Sequence, residues 1–273
     1  MKKILLSAVA LLTAATFTAP VANAQDEENV IKIASHLPPM TDVVEIAGEV
    51  IAEPYSVELV EVSDNIQYNE ALFNDEVFAN FAQHMPFMEM FNEEREADLV
   101  AIQPIYNAIV GFYAPEYETI EDIEDGAEVA IPADLTNEAR ALFVLEQHGL
   151  IEIDDEAGLF PTVDDITENP HNFEFTHIDL LNLPAAYEDG IDLVFNYPTY
   201  IAKLDLTTAD ALILEEDSEN TFALQLVIRE GNVDSDAANA LQEAFTSPEV
   251  HEFLAELAEE KHLEPAFELE EAE

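Results

Sequence analysis

The chain has 273 residues, of which 60 are acidic and 8 are lysine or arginine, for a formal net charge of −52. No basic patch is available to neutralise phosphates, which excludes nucleic acid as a partner and disfavours an anionic membrane surface. Hydrophobic residues make up 49%, too many for wholesale disorder. There is no cysteine, so no disulfide framework and no lipid-modified thiol are expected.

In chain order, Met1, Lys2 and Lys3 form a charged start, residues 4–17 a short apolar stretch, and Ala22-Asn23-Ala24 a small-x-small cleavage site. Residues 1–24 therefore read as a signal peptide, shorter than the about 20 apolar residues of a membrane span. The mature chain is expected to be exported, periplasmic and soluble. Residues 30–34 predict a strand, and 42–51 an amphipathic helix with Val43, Ile46, Ala47 and Val50 at helical spacing. A strand over 56–62 precedes two helices, 69–81 and 86–95, and a short strand at 99–103. Another strand, 128–131, feeds a helix that stops at Gly149. Strands at 173–178, 191–195 and 223–228 are followed by closing helices at 235–245 and 248–260.

Strands alternating with helices predict an α/β architecture. The turn-rich stretch 111–126 and the segment Tyr197-Pro198-Thr199-Tyr200 are placed as two crossings between lobes. The expected division is 29–110 with 202–262 as one lobe, 111–201 as the other, and 263–273 as an acidic tail, loose after Pro265. A cleft between two lobes is a common place for a ligand. The acids are spread along the whole chain, as in a salt-adapted, halophilic surface, rather than gathered into a cation-binding array.

Two of the eight basic residues fall in the leader, so the mature chain keeps 8 − 2 = 6. One of these, Arg140, stands in the motif Ile131-Pro132-Ala133-Asp134-Leu135-Thr136-Asn137-Glu138-Ala139-Arg140-Ala141-Leu142. Thr136 or Asn137 is expected to cap a helix there. Its first turn presents free N–H groups, and Arg140 lies on the same face as Asn137. That combination fits a carboxylate held by a guanidinium; equally, Arg140 could pair with an acid of this acid-rich chain. A second constellation, Phe78-Ala79-Asn80-Phe81-Ala82-Gln83-His84-Met85-Pro86-Phe87-Met88, reads either as an apolar pocket anchored by His84 or as ordinary core. No Gly-x-Ser-x-Gly elbow, phosphate loop, cysteine nucleophile or His-Glu-x-x-His occurs. The chain is therefore read as a non-enzyme without a cofactor. A metal site using His36, His84 and carboxylates is the competing reading.

At these residues the chain resembles the methionine-type substrate-binding lipoproteins of bacterial ABC importers. The pieces that carry the resemblance are Tyr68-Asn69-Glu70-Ala71-Leu72, Ala79-Asn80-Phe81-Ala82-Gln83-His84-Met85-Pro86-Phe87 and the Arg140 motif. Weaker echoes lie at 162–172 and in Leu226-Val227-Ile228-Arg229-Glu230. The resemblance implies a two-lobed periplasmic-binding-protein fold with two inter-lobe crossings. It also implies a small amino-acid ligand, methionine or a related one, and a membrane permease and ATPase as partners of a monomer. It places Arg140 and Asn137 on the ligand carboxylate, and His84 and Phe87 around its side chain; Phe81 is expected to shape the same pocket. Asn65, Asn196 and Tyr197 complete the expected site. The chain departs from the pattern at Ala82 and Asn65, where aromatics are usual, and at Leu224, where an asparagine is. The Asn196-Tyr197-Pro198-Thr199-Tyr200 segment is a further departure.

Overall fold

A computed structural model describes residues 29–64, 66–216, 220–259 and 263–269. The expected signal peptide and Asn65 lie outside the described residues. Strand β1 (Val30–Ser35) leads through helix α1 (Met40–Val50) to β2 (Ser56–Glu61), which runs parallel to β1 with Val30 opposite Ser56. Helix α1 buries Met40, Val43, Val44 and Ala47, the stripe that its helical spacing predicts. Helix α2 (Gln67–Phe73), β3 (Ala79–His84), α3 (Met85–Arg95) and β4 (Leu99–Asn107) follow.

Residues 69–81, expected as one helix, are split between α2 and β3. Asn74 caps α2 and Asp75 turns the chain with a φ of 61°. All six residues of β3 are buried, because the strand lies inside the sheet, with β1 on one side. Its polar residues hid this from periodicity, since a buried strand normally reads as an apolar run. They are tolerated because they satisfy one another. Asn69 Nδ2 donates to Gln83 Oε1 at 2.7 Å, Gln83 Nε2 donates to Asn69 Oδ1 at 2.5 Å, and Asn80 Nδ2 donates to Asn69 Oδ1 at 2.9 Å. Buried amides without such partners would each cost about 1–3 kcal/mol.

From β4 the chain passes into a second sheet through residues 108–110 and enters β5 (Gly111–Tyr113). Then come β6 (Glu128–Pro132), α4 (Leu135–Gln147), a two-stranded ribbon of β7 (Glu152–Ile153) and β8 (Ile166–Glu168), and β9 (Glu174–Ile178). Helix α5 (Leu183–Glu188), β10 (Leu193–Asn196), α6 (Pro198–Ile201) and β11 (Ile213–Leu214) complete this part. The second sheet has the order β11-β5-β10-β6-β9. β6 runs parallel to β9 and β10, whereas β5 is antiparallel to β10 and β11. Gly111 is required here: a Cβ on it would sit 2.6 Å from the Ile213 carbonyl oxygen.

These pairings agree with a second lobe that begins at 111, which puts the first crossing before the turn-rich stretch. They move the return crossing: residues 213–214, beyond the Tyr197–Tyr200 segment, still belong to the second sheet. The return to the first sheet falls after Leu214, where the chain leads into β12 (Leu224–Arg229). β12 inserts antiparallel between β3 and β4. Helices α7 (Asp236–Phe245) and α8 (Pro248–Glu259) pack against α1, and β13 (Glu264–Pro265) adds an edge strand to β4. The tail expected to be loose after Pro265 is docked at its start, with Ala266 N–H on the Ile105 carbonyl and Phe267 edge-on to His251. The result is a two-lobed α/β molecule whose two sheets are joined through residues 108–110 and again between Leu214 and Leu224. Among the described residues, no helix is long and apolar enough to cross a membrane.

Candidate functional site

Two helix starts face each other across the lobes. In the first lobe, β3 runs directly into α3. His84 is the N-cap, its Nδ1 accepting the Phe87 N–H at 3.2 Å, with Pro86 in the first turn. Pro86 thus opens a helix rather than breaking one, as its preset φ favours. Because Nδ1 accepts, the proton of neutral His84 sits on Nε2, which faces Asn137 Oδ1 at 3.4 Å. Burial, with the Arg140 charge second, pushes His84 down to about 3, so it is uncharged at neutral pH.

In the second lobe, Asp134 caps α4, not Thr136 or Asn137 as the sequence predicted. Its Oδ1 accepts the Asn137 N–H at 3.0 Å, Asn137 Nδ2 at 2.9 Å and the Thr136 hydroxyl at 3.1 Å. Aspartate is as good a cap as any residue, and here it also fixes the Asn137 side chain so that its Oδ1 turns away from the helix. The Tyr197 hydroxyl donates to that Oδ1 at 2.7 Å.

Arg140 lies one turn deeper and is fully buried. Its Nε and Nη2 grip Glu215 at 2.6 and 2.5 Å, Nη2 also reaches the Ala108 carbonyl at 2.8 Å, and Nη1 donates to the Tyr197 hydroxyl at 2.9 Å. The rings of Phe222 and Tyr197 stack over the guanidinium, 4.5 and 5.2 Å from its carbon. Ala108 belongs to the first crossing and Glu215 to the second. One guanidinium therefore clasps both chains that join the lobes.

A small cavity of about 40 Å³ lies between these helix starts. Met40, Tyr68, Phe87, Leu180 and Leu224 supply its apolar wall; His36, Gln83, His84, Asn137, Tyr197 and Tyr200 supply polar groups. His36 Nε2 lies 3.2 Å from the Tyr200 hydroxyl, while its Nδ1 is buried without a protein partner. Burial lowers His36 to about 4 against the opposing pull of Asp64, and burial raises Tyr68, Tyr106, Tyr197 and Tyr200. No lining side chain is charged at neutral pH.

Of the residues singled out in the sequence, His84, Phe87, Asn137 and Tyr197 come together on this cavity. Phe81 does not. It is wholly buried, edge-on to Tyr106 and Phe245 at 5.9 and 5.4 Å. Arg140 stands behind Tyr197 rather than in the wall. Asn196 is fully buried at the end of β10 with neither amide atom paired to protein. Ala82 and Leu224, positions where larger or more polar residues were expected, both line the cavity. Sequence reasoning missed Glu215, one acid among 60, and the aromatic wall of Tyr68 and Tyr200, though both stood inside quoted segments. Among the described residues, no three histidines or carboxylates converge as metal ligands.

Comparison with known proteins agrees with this architecture. The model of the NlpA lipoprotein family matches residues 31–267. The D-methionine-binding lipoprotein MetQ of Escherichia coli K12 is 34% identical over 233 residues, 84% of this chain and 86% of that one. The crystal structure of a YaeC-family lipoprotein from Enterococcus faecalis V583 superposes with a TM-score of 0.79 at 46% identity, covering 88% of this chain and all of that one. A nutrient binding protein from Burkholderia cenocepacia, solved bound to methionine, gives a TM-score of 0.81 at 29% identity, covering 87% and 100%. By its sequence, its two sheets and its crossings, the chain belongs to the NlpA lipoprotein family.

Proposed function

We propose that this protein is the solute-binding component of an ABC importer, acting outside the cytoplasm as a monomer without enzymatic activity. It captures a small amino acid, methionine or a related one, and delivers it to a membrane permease and its ATPase. The observation that carries this reading is the uncharged cavity between the lobes, walled by side chains from both. An unbranched apolar side chain would lie against Phe87, Met40, Leu180 and Leu224, and the polar end of the solute would meet Asn137, Tyr197 and His36. The names and bound ligand of the relatives point to the same solute class.

Capture requires the lobes to part and close again, and the two crossings are the natural hinge for such a motion. The Arg140 clasp holds them at a fixed spacing. Closure then presents a composite surface from both lobes for the permease to recognise. Isothermal titration of the mature protein in molar salt against the standard amino acids checks the reading. Methionine or a similar apolar amino acid should bind, and Phe87→Ala should weaken it at least tenfold. If no amino acid or simple derivative binds, the reading is wrong.

A further inference from the structure

Among the described residues, two side chains of the first lobe reach a hydrogen-bond partner in the second, and both are histidines. His36, which follows β1, places Nε2 3.2 Å from the Tyr200 hydroxyl in α6. His84, which ends β3, places Nε2 3.4 Å from Asn137 Oδ1 in α4. The ion pairs between described residues stay within one lobe or, for Arg140, end on a crossing. The polar grip of one lobe on the other is therefore held by two imidazoles.

The surroundings of each ring resist a second proton in this closed arrangement. His84 Nδ1 accepts the Phe87 N–H as the cap of α3. A proton there would set N–H against N–H and leave the cap unmade. Burial opposes the charge, and the Arg140 guanidinium adds to that opposition. His36 is 7% exposed and stacks on Tyr68 at 5.8 Å, and its Nδ1 has no protein partner. A proton on that nitrogen would be a buried donor and charge without an acceptor. Asp64 is the charged group acting on His36, and its pull toward the protonated ring is outweighed by burial. Both rings line the cavity between the lobes. When the lobes part, water reaches them, and each imidazole regains its ordinary affinity for a proton, near pH 6.5.

We propose that closure over the solute is coupled to loss of a proton from His36 and from His84, so that a fall in pH opens the lobes and lets the solute go. The inference rests on the solute-binding reading of this cleft and adds what governs release. The closed state excludes the protons and the open state accepts them. Below about pH 6.5 acid therefore favours the open state, and the protons shed on closing pass to solvent.

The test is isothermal titration of the mature protein in molar salt at pH 7 and pH 5.5. The probe is L-methionine, or another standard amino acid if that binds more tightly. A free amino acid stays zwitterionic over this range, so any change belongs to the protein. Affinity should fall at least tenfold at pH 5.5. Titration at pH 6 in buffers of different ionisation enthalpy should count about 1.5 protons released per solute bound, each open-state ring being about three-quarters protonated there. This count stands on its own if pH 5.5 unfolds the chain. His36→Asn should halve it. Binding that releases no proton, an affinity that holds steady between the two pH values, or a count that His36→Asn leaves unchanged overturns the inference and leaves the amino-acid reading standing. If no amino acid binds at pH 7, both fall.

Discussion

Arg140–Glu215 and Arg95–Glu70 are both arginine–glutamate pairs with short contacts, yet they do different work. The side chains of Arg140 and Glu215 are 0% and 4% exposed, whereas those of Arg95 and Glu70 are 47% and 29% exposed. The exposed pair competes with water and salt, and it stitches α3 to α2 within one lobe. The buried pair joins α4 to one crossing and, through Ala108, to the other. In a chain with so few cations, position rather than pairing decides what each one does. Arg229 stands between these extremes: it bonds the Leu72 and Val77 carbonyls as well as Asp75, fastening the end of β12 to the turn after α2.

The contrast is easiest to break at its strong end. Arg140→Ala should destabilise the protein by about 3–5 kcal/mol, because it leaves Glu215 buried without its cation. Denaturant unfolding in molar salt measures this, and a loss below about 1 kcal/mol would mean that the pair is no more than a surface contact. The double change Arg140→Met with Glu215→Leu should recover much of the loss, since removing both charges removes the orphan.

Next in size is a pH effect from the two pocket histidines. Both have folded-state pKa values below the ordinary 6.5, about 4 for His36 and about 3 for His84. Below pH 6.5 the unfolded chain takes up protons that the folded chain refuses, so stability falls as pH falls and is regained as it rises. The slope approaches about 1.4 kcal/mol per pH unit for each imidazole. Between pH 7 and pH 5 the wild-type protein should therefore lose about 2 kcal/mol per histidine. His36→Asn should show a shallower decline, and identical slopes would remove His36 from the account. Since Arg140 contributes to holding His84 down, this measurement also reports on the clasp.

The uncharged counterpart of the clasp is the Asn69–Asn80–Gln83 cluster. Gln83→Leu would leave Asn69 without its reciprocal partner and should cost about 1–3 kcal/mol, a value that salt should not change. At the weak end, Arg95→Ala should cost under about 1 kcal/mol. A larger loss there would dissolve the distinction between the pairs.

Much of the fold was legible because hydrophobic spacing is a local property. Val43, Ile46, Ala47 and Val50 marked α1, and the closing helices announced themselves in the same way. Residues 79–84 did not, because their burial depends on strands from distant parts of the chain, and their amides are satisfied only by Asn69 in a different element. The return crossing was misplaced for a similar reason: β11 is two residues long and is defined by pairing with β5, a hundred residues earlier. In the site, His84, Phe87, Asn137 and Tyr197 could be chosen from motifs. The partner of Arg140 could not, since nothing local sets Glu215 apart from the other acids.

By itself the sequence determined the α/β alternation, the acidic surface and the helix starts that frame the cavity. These follow from composition or from patterns that repeat within a few residues; the family came from motifs that resemble it. Tertiary structure decided where the crossings run, which polar residues are core and which are wall, and what Arg140 holds. Those outcomes depend on which groups are brought together after burial, when an unpaired charge or amide becomes too costly to leave.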